Sequence, residues 1–116
     1  MSTHNQIDLI EFPADSPEKL AATTKFFSEV FNWKYKNYGD EYSDTSDSGV
    51  MSGVNATGSE GSKMPLAVIY SSDLDATKEK VTKAGGKVTA DTYPFPGGRR
   101  FHFTDPAGNE LAVWSE

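Results

Sequence analysis

The chain has 116 residues, 36% hydrophobic and 12% aromatic, enough apolar material for one ordinary core and too little length for a second domain. With 11 Lys and Arg against 17 Asp and Glu the formal charge is −6, so the averaged field repels a phosphate backbone and argues against nucleic acid as a partner. The absence of Cys removes disulfides, thiolate zinc sites, iron–sulfur clusters and cysteine nucleophiles together.

The opening Met-Ser-Thr-His-Asn-Gln has no basic stretch leading into an apolar one, and His4 is expected to fray with this tail. No apolar run approaches the ~20 residues of a membrane helix, so a soluble, cytoplasmic protein with no membrane partner is expected. Ile7 to Phe12 mixes β-branched and aromatic residues with two acids, as a half-buried strand does, and Pro13 ends it. Ser16 then reads as a helix cap with Pro17 in the first turn. Leu20, Thr23 or Thr24, Phe27, Val30 and Phe31 form one apolar helical face, and Asn32 suits the left-handed residue that ends the helix. Trp33 to Lys36 alternates aromatic with cationic side chains, which predicts a strand. A turn near Gly39-Asp40, a short strand over Glu41 to Ser46 and another over Gly49 to Asn55 follow. The acidic run of Asp40, Glu41, Asp44 and Asp47 lacks a calcium-loop pattern and reads as a solvated surface.

A Gly- and Ser-rich linker at 56–64 separates about 5–57 from about 64–116, two modules of a single domain over 1–116. After it the same programme runs again. Pro65 to Tyr70 reads as a strand, Ser72-Asp73-Leu74-Asp75 opens a helix to about Ala84, and Gly85-Gly86 closes it. Lys87 to Ala90 is a strand, Tyr93 to Gly98 a loop, Arg99 to Thr104 a strand, Asp105 to Asn109 a turn and Glu110 to Trp114 the last strand. The first helix is longer than the second by about one turn. Arg99 and Arg100 stand next to Asp105 in this reading, in reach of a structural ion pair.

Two copies of strand, helix and three strands resemble the vicinal oxygen chelate superfamily, the group of glyoxalase I, bleomycin-resistance proteins, fosfomycin-resistance enzymes and ring-cleaving dioxygenases. The most specific pieces are Phe26-Phe27-Ser28-Glu29-Val30-Phe31-Asn32-Trp33 and the turn Asp105-Pro106-Ala107-Gly108-Asn109. The resemblance implies an α+β fold in which two βαβββ modules form an open, barrel-like mixed sheet around a pocket, and it implies a homodimer. It also implies a divalent metal on His or Glu side chains. Matched from the acids that open the helices, the first ligand position falls on Leu9, or on Asp8 in the alternative register. The second falls on Leu66 and the last on Ala112, and neither side chain can bind a metal. No cofactor is therefore expected, unless a metal sits at a relocated site made by Glu11, His102 and Glu110.

Strand alternation says what lines the pocket instead. Phe101 and Phe103, Leu111 and Val113, and Ile10 and Phe12 share the helix-packed faces. The opposite faces carry Glu11, Tyr70, Arg100, His102 and Trp114, with Leu9, Leu66 and Ala112 as apolar wall. Glu11 and His102 suit a general acid and base, Arg100 suits an anionic ligand, and Tyr70 with Trp114 suits a planar one. His102 also suits a satisfied pocket or interface histidine, and Trp33 and Trp114 suit core or dimer contacts. Three functions fit this pattern. One is a glyoxalase-like small-molecule-binding protein with lyase- or isomerase-type acid/base chemistry and no family metal. Another is a non-catalytic protein that sequesters its ligand, as bleomycin-resistance proteins do, where a charge of −6 favours a cation. A third is a metal-dependent lyase or dioxygenase at the relocated site.

Overall fold

The computed structural model describes residues 2–57 and 63–116, which fall into two compact units, Leu9–Pro65 and Met1–Asp8 with Leu66–Glu116. Much of the expected linker, residues 58–62, lies outside the described residues. Strand β1 (Gln6–Pro13) contributes residues to both units; α1 (Pro17–Phe31), β2 (Lys36–Asn37), β3 (Tyr42–Thr45) and β4 (Ser52–Asn55) follow in the first. The second holds β5 (Leu66–Tyr70), α2 (Leu74–Lys83), β6 (Lys87–Phe95), β7 (Gly98–Thr104) and β8 (Glu110–Ser115). This is an α+β fold built on two βαβββ modules, with strand order β2-β3-β4-β1 in one and β5-β8-β7-β6 in the other. Within each unit the strand pairing is mixed: β1 runs parallel to β4 and β5 parallel to β8, and β2–β3, β3–β4, β6–β7 and β7–β8 are antiparallel.

Local chemistry explains where the helices begin and end. The Ser16 hydroxyl accepts the Lys19 N–H at 3.2 Å with Pro at the helix start, and Asn32 closes α1 at φ 61, the left-handed region an Asn tolerates. Asp73 caps α2 by accepting the Ala76 N–H at 3.1 Å, and Gly85, at φ 99, follows the helix end. Under α1, Leu20, Val54 and Ala56 pack with Phe12, Ala14 and Tyr35. Under α2, Leu74, Phe101 and Val113 pack with Ile69, Val81, Val88 and Phe103. The alternation of β7 thus places Phe101 and Phe103 against the helix, and burying a side chain such as Phe101 contributes about 1.5–3 kcal/mol.

Several expectations need correction. Tyr93-Pro94-Phe95 belongs to β6 and is not a loop, because β6 is the outer strand of its unit and tolerates a residue without an N–H. Trp33 to Tyr35 form no strand, since only Lys36 and Asn37 find a partner, on Ser43 and Asp44 of β3. The apolar face of α1 is only partly covered: Leu20 is buried and Phe27 is half-buried against Phe12, whereas Val30 and Phe31 are exposed. His4 does not fray, as its Nδ1 accepts the Ser72 N–H at 3.0 Å and Asn5 donates to the Tyr70 carbonyl at 2.8 Å. Asp44 is buried rather than solvated. Arg99 stands 4.0 Å from Asp75, not against Asp105, whose carboxylate instead accepts the backbone N–H groups of Ala107 and Asn109 at 2.9 Å.

Candidate functional site

The face of β5, β8, β7 and β6 turned away from α2 carries most of the residues singled out. Its rows are set by register: Tyr70 lies beside Trp114, Trp114 beside Arg100 and Arg100 beside Tyr93; Val68 lies beside Ala112, and Ala112 beside His102. Alternation therefore groups Tyr70, Arg100 and Trp114 as the sequence predicts, with Leu66 and Ala112 buried as apolar wall. Register shifts in β6 between Val88 and Ala90 and between Ala90 and Tyr93 bring Tyr93 opposite Arg100.

Arg100 and His102 are 5% and 0% exposed, so each needs partners. Arg100 Nε and Nη2 stand 3.2 and 3.1 Å from His102 Nε2, and the Tyr93 hydroxyl stands 2.8 Å from the same atom. On the other side of the ring, Nδ1 is 3.4 Å from Glu110 Oε2, an oxygen that also accepts the Thr89 hydroxyl at 3.3 Å. The guanidinium carbon lies 5.8 Å from the Tyr93 ring centre and 6.0 Å from that of Phe95, a cation against two π faces.

Trp114 links the aromatic part of this face. Its ring meets Tyr70 edge-on at 4.9 Å and Phe95 at 6.1 Å, and its indole N–H donates to both oxygens of Asp8, at 3.0 and 3.2 Å. The alternative first metal position, Asp8, is thus taken up by an indole. The Tyr70 hydroxyl donates to Glu116 at 2.9 Å, and that hydrogen bond, with smaller effects of burial and of the Glu116 and Asp8 charges, raises the phenol above its ordinary range.

Leu9 and Glu11 belong to the other unit, on β1, and Glu11 is 6% exposed. Within that unit Glu11 is in register with Gly53 of β4, Gly53 with Asp44 of β3, and Asp44 with Lys36 of β2. A second buried acid therefore shares the Glu11 row. Burial raises Asp44 above the ordinary carboxylate value, opposed by the charge of Lys36. A side chain at Gly53 would strike the Tyr42 hydroxyl, with 2.5 Å from its Cβ to Oη.

Tyr93, Phe95 and the burial of Asp44 were missed by sequence reasoning, because reading Tyr93-Pro94-Phe95 as a loop hid the two aromatics. Alternation does find Glu110 on the face of Ala112 and Trp114, and the pairing of His102 with Glu110 expected from the sequence corresponds to the 3.4 Å approach of their side chains. Among the described residues no group of three or more His, Asp or Glu side chains is placed to hold a metal ion. Nor is any described helix long and apolar enough to cross a membrane.

The family model for the Glyoxalase/Bleomycin resistance protein/Dioxygenase superfamily matches residues 16–113. A glyoxylase-like domain-containing protein of Didymella fabae is 34% identical over 130 residues, covering 97% of this chain and 95% of its own. A superfamily member of that description from Vibrio splendidus 12B01 superimposes with a TM-score of 0.67 at 12% identity, covering 93% of this chain and 97% of its own. Streptomyces coelicolor methylmalonyl-CoA epimerase, in complex with 2-nitronate-propionyl-CoA, gives 0.65 at 15% identity, covering 98% and 96%. At such identities the two solved structures speak to the fold alone. With the family model spanning residues 16–113 and the Didymella fabae relative aligned over almost the entire chain, the protein belongs to the glyoxalase/bleomycin resistance protein/dioxygenase superfamily, the vicinal oxygen chelate group.

Proposed function

We propose that the protein binds a small anionic molecule with a planar or aromatic part on the face of Tyr70, Arg100, His102 and Trp114, and does acid/base chemistry of lyase or isomerase type there without the family's metal. The observation that carries this reading is the seating of a buried guanidinium, Arg100, against the Tyr93 and Phe95 rings. A desolvated guanidinium favours a carboxylate, and the neighbouring rings favour a flat body attached to it. Against the metal stand Leu66 and Ala112, which have no donor atom and do not fit such an ion. We infer a soluble, cytoplasmic homodimer; the dimer is supported by Phe26, Val30 and Phe31 on α1, which are more than half exposed.

Titration calorimetry with benzoate and with benzamide tests the binding reading. Benzoate is expected to bind at least about 10-fold more tightly, and Arg100→Gln to remove that preference with the fold retained by circular dichroism. Equal affinity for the two probes overturns it. Elemental analysis after loading with Ni, Fe, Mn and Zn and desalting is expected to find little metal; a stoichiometric ion would overturn the metal-free reading. Light scattering checks the dimer, and a monomer mass near 12.7 kDa refutes it.

The charge of −6 favours a second reading, sequestration of a cationic ligand. A ligand that binds stoichiometrically and returns unaltered separates this from catalysis.

A further inference from the structure

We infer that the exposed face of α1 is the surface on which two copies of this chain pair, antiparallel about a twofold axis level with Phe27. This rests on the homodimer reading above and adds the face, the orientation and the ionic contacts that fix it. Ala22, Phe26 and Val30 recur every four residues and so line one stripe of the helix. Ala22 is exposed, and Phe26 and Val30 are 57% and 55% exposed. Phe31, 54% exposed, adds a third large apolar side chain within two turns, a contiguous patch of the kind that marks an interface rather than the scattered exposure usual on a surface. The rings are held in place by their neighbours: Phe26 lies edge-on to Phe27 at 5.7 Å, Phe27 rests 5.7 Å from Phe12, and Phe31 stands 6.3 Å from Phe27 and 5.2 Å from Trp33. Such a patch loses little side-chain freedom when it is covered.

Charge selects a second copy as the occupant. The chain carries −6, so contact between most of its surfaces brings like charge together, whereas α1 sets Glu18 and Glu29 against Lys19 and Lys25 and is neutral. Lys25 and Glu29 border the stripe on the same side, one residue before Phe26 and Val30; their side chains are 77% and 66% exposed, with 3.9 Å between the charged atoms. In a parallel pair each would meet its own kind. In an antiparallel pair with the axis level with Phe27, Lys25 stands opposite the partner's Glu29 and Glu29 opposite the partner's Lys25, so both crossings are attractive. The same register sets Phe26 between the partner's Phe26 and the partner's Val30, the interdigitation that packed helices require.

Sedimentation velocity of the full chain tests the pairing. Wild type is expected to sediment as a dimer, and Phe26→Ser to raise the dimer dissociation constant at least about 100-fold, with circular dichroism unchanged because this side chain is exposed. Lys25→Glu should weaken the dimer at least about 5-fold, since both crossings then set carboxylate against carboxylate. An equimolar mixture of Lys25→Glu chains and Glu29→Lys chains should form a heterodimer at least about 10-fold tighter than either homodimer, a preference that changes inside one helix cannot produce. A dimer of wild-type strength in Phe26→Ser or in Lys25→Glu, or a heterodimer no tighter than the homodimers, overturns the α1 pairing while the homodimer reading stands. A wild-type chain that stays monomeric overturns both.

Discussion

After its helix, the Leu9–Pro65 unit has strands of 2, 4 and 4 residues, and the other unit has strands of 9, 7 and 6. The short strands bury Ser43, Asp44, Thr45 and Ser52, and the long ones bury Phe101, Val113, Arg100 and His102. Small hydroxyls satisfy themselves locally: Ser43 bonds to Asn37, Ser48 and Ser52 share a 2.8 Å bond, and Thr45 accepts the Asp47 N–H at 3.0 Å. The longer strands give room for a guanidinium, an imidazole and the rings of Tyr93, Phe95 and Trp114 to be partnered across rows. One order of elements thus supports two kinds of polar burial, and strand length decides which kind is possible.

That contrast can be broken by substitution, beginning with the cores. Phe101→Ala should cost about 3–5 kcal/mol in urea unfolding and Leu20→Ala about 2–3 kcal/mol; equal costs would mean that the two cores contribute alike. Glycines give the next test. Gly98 has φ 152 and an added Cβ would lie 2.0 Å from the Ser115 carbonyl oxygen, so Gly98→Ala should cost about 3 kcal/mol through backbone strain. Gly53→Ala meets only the movable end of the Tyr42 side chain and should cost about 1 kcal/mol by the same measurement.

The acids of the two units should respond to pH with opposite signs. Asp44 is raised by burial, so the folded protein binds the extra proton, and stability falls as pH rises from the ordinary carboxylate value through the raised one. Asp44→Asn should therefore be no more stable than wild type in acid and gain on it at neutral pH. Asp105 is lowered, chiefly by the hydrogen bond from the Asn109 side chain, so its contribution is full above the ordinary value and disappears as pH falls through the lowered one. Asp105→Asn should lose stability at neutral pH and match wild type in acid; parallel pH curves for the two variants would refute the contrast. The smallest effect is expected for Arg99→Gln, whose exposed pairing with Asp75 should be worth less than about 0.5 kcal/mol in thermal unfolding.

The helix ends, the Asp105 turn and the repeat of modules were legible because their signals are local: a hydroxyl before Pro17, an Asn at Asn32, a carboxylate at Asp73. Half of the candidate face was legible too, since period 2 alone groups Arg100 with His102 and Trp114 with Ala112. What failed depended on neighbours the sequence does not display. Pro94 reads as a breaker unless β6 is known to be outermost, and Tyr93 and Phe95 were lost with it. Asp44 reads as solvated unless β3 is known to be paired on both sides. Periodicity gave α1 an apolar face without saying how much of it would be covered.

The irregular course of β6 has a consequence for behaviour at high concentration. An incoming strand needs an unbroken row of N–H and C=O groups, and β6 interrupts that row with two register shifts and with Pro94. In the other unit β2, with two residues, offers too short a template. Backbone-mediated growth into cross-strand aggregates is disfavoured at both places, and a partner strand arriving at either one would have to rely on side-chain contacts.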